Sequence, residues 1–269
     1  MLVMKNLLVL NLKQAFFSKR FLLIVIFSIF LNAFHYYSSI YINMVDKWFD
    51  KDLLTLSYRW IGFSNIGSFL FLLMPLISVI VFSDSYLLEK KTGFLNGIYT
   101  RVSRNKYIFS KYISVFITGG VSFILPLLIN LIIVSGTLPI IPPSNPDSGL
   151  TPINMNHMFA DLYFSSPVGY ICLYLFIDFL FAGVFAILAL TVSVFVRQVF
   201  VVLLVPFLLN IVLGVSLESI IPQIIPTFLV DPQQPILNNK PIFLLVEFLL
   251  LLVISLFFYF WGVKKHEQI

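Results

Sequence analysis

Charge is scarce in this 269-residue sequence: 11% of residues are charged and 59% are hydrophobic. Soluble domains carry about a quarter charged residues, so the chain has too little solvated surface for that class. Its composition is that of a membrane protein. Cysteine is almost absent. The single Cys172 excludes an intrachain disulfide and a cysteine-based metal site, and it reads as a small apolar packing residue. The dipeptide Gly-Lys never occurs, so there is no phosphate loop of the form G-x-x-x-x-G-K-[ST], and ATP cannot be held in that way. Neither G-x-S-x-G nor H-E-x-x-H is present, and His35, His157 and His266 are scattered along the chain. No catalytic residue, metal site or cofactor site is expected.

What the sequence has in abundance is long apolar runs. A spanning helix needs about 20 mainly apolar residues. Six stretches qualify, at about 21–42, 61–82, 107–134, 168–195, 199–217 and 241–262. The expected fold is an all-α integral membrane protein, a single transmembrane domain over residues 1–269. Of the 17 Lys and Arg residues, thirteen fall on the side of the termini; the other four are Lys47, Lys51, Arg59 and Lys240. Basic residues concentrate on the cytoplasmic side, so both termini are expected inside, in a multi-pass protein of the cell membrane. The same distribution favours membrane lipid over nucleic acid as the partner of the basic excess.

At the N-terminus, Lys5, Lys13 and Arg20 share a helical stripe, which predicts an interfacial helix over residues 1–20. Residues 135–167 hold six prolines (Pro139, Pro142, Pro143, Pro146, Pro152 and Pro167) and no Lys or Arg, which predicts an irregular outer loop. MNHMFADLYF within it could form a short interfacial helix. Residues 218–230 are too apolar for a free loop and too proline-broken for a span. They read equally as a broken outer hairpin before the last span or as a loop packed on the span ends.

The remaining polarity gathers in SDSYLLEKKTGFLNGIYTRVSRNKYIFSK, residues 83–111. EKKTGFLNGIY reads as a short helix with a turn, apolar on one face through Phe94, Leu95, Ile98 and Tyr99. Glu89, Lys90, Gly93, Leu95, Ile98, Ser103, Arg104 and Lys111 stand at positions that resemble the loop between the second and third spans of type-2 ABC exporter permeases. Phe94 departs from the usual Thr, and the usual Pro before the Val-Ser-Arg run is missing. The resemblance implies a cytoplasmic coupling helix that docks in a cleft of a separate ATPase, with Glu89, Lys90, Gly93, Leu95 and Ile98 as its contacts. It further implies two ATPase copies that carry the ATP, and a homodimer or pair with a similar permease joined largely through the first and fifth spans. Short outer loops then favour export of an amphipathic cargo: a drug, an antimicrobial peptide or a lipid-like molecule. The plainer reading is a basic loop that only fixes topology.

Two acids fall within spans, Asp178 and Glu247. Ionisable groups in a membrane are costly and default to function, here as candidates for the translocation path. Internal hydrogen bonds, for instance to Asn130 or Asn210, are the structural alternative. The same two acids would serve a proton-coupled secondary carrier, the main functional alternative. A non-transporting immunity or anchor protein is the third.

Overall fold

The computed structural model describes residues 2–46, 49–100, 102–143, 151–234 and 239–266, and every regular element among them is helical. Lys47, Arg101, Pro146 and the side chain of His266 lie outside what it describes. Helix α1 (Leu2–Phe16) ends before the expected interfacial helix does, because Ser18 caps a new helix by accepting from Phe21 N at 3.1 Å. Arg20 therefore belongs to α2 (Lys19–Val45), which contains a π-helical turn at Tyr36–Tyr41.

Residues 61–82 differ from the expected continuous span. A 3₁₀ turn at Ile61–Phe63 precedes α3 (Asn65–Leu72), and the chain restarts at α4 (Met74–Val79). Ser64 caps α3 through the Gly67 amide at 3.2 Å. Pro75, in the first turn of α4, has no N–H to bond back into α3, so the helix divides at Leu73. Two short helices, α5 (Ser85–Lys91) and α6 (Phe94–Tyr99), follow.

The other long helices, besides α2, are α7 (Arg104–Thr137), α9 (Pro167–Phe195), α10 (Val199–Leu217) and α12 (Pro241–His266). Between them lie α8 (Ala160–Ser165), a helix within MNHMFADLYF, and α11 (Pro226–Val230), which follows a 3₁₀ turn at Pro222–Ile224 in the proline-broken hairpin. Among the described residues five helices are long and apolar enough to cross a membrane: Lys19–Val45, Arg104–Thr137, Pro167–Phe195, Val199–Leu217 and Pro241–Lys265.

Helix α9 is the central one, its apolar window 67% buried, whereas α2, α10 and α12 are only 17–22% buried. It meets α7 through small residues. A Cβ on Gly119 would stand 2.3 Å from the Ala186 Cβ, and one on Gly183 would stand 2.7 Å from the Phe116 ring. Close approach of this kind is how helices associate where no hydrophobic drive acts between them. Asn130 of α7 extends the frame. Its side-chain carbonyl accepts from Ile61 N at 2.8 Å and its amide meets His35 Nδ1 at 3.1 Å, so it joins α7, α2 and the 3₁₀ turn and does not reach Asp178. Cys172, expected in the packing, is exposed on α9.

The two ends of the bundle differ. One gathers α1, α5, α6, the start of α7, the α9–α10 turn and the end of α12, where Arg104 donates to the Val263 carbonyl. The other is rich in proline. There Tyr163 donates to the Ser57 carbonyl and Tyr170 to the Pro232 carbonyl, both at 2.7 Å.

Candidate functional site at the charged end

Two ion pairs fix the polar stretch to the bundle. Asp84, 1% exposed, accepts from Arg20 Nη1 at 2.6 Å, and the same guanidinium reaches the Ile80 carbonyl at 3.3 Å. This ties the start of α2 to the end of the broken segment. Glu89 accepts from Lys111 Nζ at 2.7 Å, and its second oxygen accepts from the Tyr107 hydroxyl. Lys111 is fully buried. Its ammonium also stands 3.5 Å from Asn11 Oδ1 of α1 and 4.4 Å from the centre of the Phe82 ring. Tyr107 and Lys111 are four residues apart, so one face of α7 presents both to Glu89. A buried charge persists only when it is paired and hydrogen-bonded, and this one is.

The pairing changes the reading of the expected contacts. Glu89 is 8% exposed and committed to Lys111, and Leu95 is 5% exposed within the core. Leu95 is thus turned inward, and Glu89 shows only an edge at the surface. Ile98 is half-buried against the core, while Lys90 and Gly93 are exposed. Gly93 sits at φ 73°, between the end of α5 and the start of α6. A left-handed residue at this point ends one helix and starts the next at a new angle, and glycine does so without a Cβ penalty. Thr92 helps by returning its hydroxyl to the Leu88 carbonyl at 3.0 Å.

Two apolar side chains here reach solvent: Leu88 at 39% exposure, which the sequence did not single out, and Phe94 at 56%, which it placed on the apolar face. The substitution of Phe for the usual Thr at 94 was the available signal. Both line an open groove of about 630 Å³, with Glu89, Thr92, Gly93, Gly97 and Gln14 of α1 as its other lining residues. A second cleft, of about 510 Å³, lies between α5 and the α9–α10 turn. Lys90 and Lys91 line it together with Arg197 and the apolar Leu87, Val194 and Phe195, and no acid among the described residues lines it. This end can therefore offer an apolar knob and a cationic cleft side by side.

The candidate path acids lie elsewhere. Asp178, fully buried on α9, has no hydrogen-bond partner for either carboxylate oxygen among the described residues, so no hydrogen bond joins it to Glu247. Glu247 on α12 is 8% exposed, with Oε2 unpartnered among the described residues. The charge nearest in effect to Asp178 is a like charge, Asp231, which closes α11. Burial raises the Asp231 carboxyl to about 6, against the opposing pull of hydrogen bonds from the Gln233 amide (2.9 Å) and Ser68. Asp231 was not singled out in the sequence, since it follows a proline-broken hairpin. Comparison with family models, curated proteins and solved structures finds no match to this chain.

Proposed function

We propose that this chain is the membrane subunit of an ATP-driven exporter of the type-2 ABC class, with its charged end in the cytoplasm. The observation that carries the reading is the rigid mounting of an exposed helix–glycine–helix. Two ion pairs, the part-buried Arg20–Asp84 and the buried Lys111–Glu89, clamp α5 to α2 and α7, while Lys90, Gly93 and Phe94 remain open to a partner. A coupling element must be stiff toward the membrane and free toward the motor, and this one has both properties. Its contacts to an ATPase are Lys90, Gly93, Leu88 and Phe94, with the Lys90–Lys91–Arg197 cleft as a second seat for acidic side chains. Glu89, Leu95 and Ile98 act behind them as the mount.

The chain lacks a phosphate loop, so two copies of a separate ATPase carry the nucleotide. The poorly covered α2 and α10 are available to a second copy or a similar permease, and lipid covers the rest. The test is co-purification. An ATPase encoded beside this chain should bind the wild-type protein, and Phe94→Glu should release it while the chain stays folded. Binding unaffected by both Phe94→Glu and Lys90→Glu would overturn the docking surface.

One observation favours a second reading, a proton-coupled carrier: the unpartnered, fully buried Asp178. In reconstituted vesicles holding this chain and its ATPase, uptake driven by a pH gradient alone and abolished by Asp178→Asn would select the carrier. Uptake that requires ATP would select the exporter.

A further inference from the structure

At the proline-rich end, a half-open pocket of about 390 Å³ lies between α3 and the α11 segment. Its volume falls in the range of small-ligand sites. Phe71, Leu72 and Phe228 give it apolar walls; Ser68, Gln233 and Asp231 supply its polarity. We propose that this pocket binds a lipophilic organic cation, with Asp231 as its counter-ion.

Three features carry this. Asp231 is 8% exposed and held by the Gln233 amide and Ser68, so its carboxylate is fixed at the pocket wall, and no ion pair reaches it among the described residues. The Asp231 carboxylate thus stands in a largely apolar setting without an ion-pair partner, although paired charge is the rule for buried acids. The pocket is the opening through which a compensating cation can arrive.

The lining selects the kind of cation. A calcium ion takes about 6–8 oxygen ligands, and these walls are mainly aromatic and aliphatic. No group of three metal-ligating side chains occurs among the described residues. A delocalised cation on an apolar body fits instead: the half-buried Phe228 offers aromatic surface, and Asp231 offers charge. As a cargo site the pocket deepens the exporter reading and rests on it; as a binding site it does not.

The experiment uses the full chain alone, without an ATPase, in lipid nanodiscs, with radiolabelled tetraphenylphosphonium measured by equilibrium dialysis against empty discs. The expected result is saturable binding that tetraphenylborate, the anion of the same shape, does not displace. Asp231→Asn should weaken it by about tenfold or more, as loss of a desolvated counter-charge does. Asp231→Glu should retain most of it, and Phe228→Ala should weaken it. Thr227→Arg, which places a competing cation on the pocket wall, should abolish it, and this keeps the test decisive if Asp231→Asn fails to fold. Non-saturable uptake, equal displacement by tetraphenylborate, or wild-type affinity in Thr227→Arg would each overturn the proposal. So would a dimer that Asp231→Asn splits in a chain that binds no probe, since a second copy would then be the occupant. ATP-driven transport by a chain that binds no probe removes the pocket and keeps the exporter. Probe binding by a chain without ATP-driven transport does the reverse.

Discussion

Lys111→Met isolates the buried clamp. The substitution keeps the length and apolar contacts of the side chain but removes the charge that Glu89 faces at 2.7 Å. Glu89 would keep the Tyr107 hydroxyl and lose its counter-ion in a place where water replaces little of it, since the residue is 8% exposed. Breaking a buried pair from one side costs about 3–5 kcal/mol, because it strands the other charge. For a chain of this size that is a fall in melting temperature on the order of 10 °C. The measurement is thermal unfolding of the purified chain in detergent. The informative companion is Glu89→Leu with Lys111→Met, which removes both charges and is expected to recover most of the loss. A Lys111→Met protein that melts with the wild type would refute the buried pair. So would a double variant no more stable than Lys111→Met alone.

Gly93 meets nothing within 4 Å of an added Cβ, so its substitution cost is purely conformational. Gly93→Asn should lose about 1 kcal/mol and Gly93→Val clearly more in thermal melts; equal losses would contradict the left-handed assignment. Gly119→Leu should destabilise by about 3 kcal/mol or more through collision with Ala186, while Gly136→Leu, which faces open space, should stay within about 0.5 kcal/mol of wild type. Asp231, raised from 3.8 to about 6, holds its proton more tightly in the native state. Its stabilising contribution, about 3 kcal/mol at most, is fully present below pH 3.8 and lost as pH rises through about 6, and Asp231→Asn should flatten that part of the melting profile.

Much of the helical plan was legible because an apolar run of about 20 residues has few alternatives once water is excluded. The break at Leu73 was not. Pro75 is visible in the sequence, but the almost wholly apolar run from Phe69 to Phe82 conceals its effect on hydrogen bonding. Glu89 looked exposed because it heads a charged run; its burial depends on Lys111, 22 positions on, and on Tyr107 one turn before that. A lone lysine inside an otherwise apolar run, four residues after a tyrosine, was the readable hint. Arg20 was assigned to the wrong helix because a charge stripe cannot reveal the Ser18 cap that divides it. Asp231 was passed over because prolines around it read as loop, and a loop acid carries no pattern.

The interlock of α7 and α9 also limits how this chain can move. With Gly119 against Ala186 and Gly183 against Phe116, the two helices have no side-chain slack in which to slide or roll past one another. They behave as one body with six degrees of freedom, not twelve. Displacement within the bundle is then easiest for the less buried α2, α10 and α12, about that body. The divided segment at Leu73, where no continuous helix resists bending, is the place where such a displacement costs least.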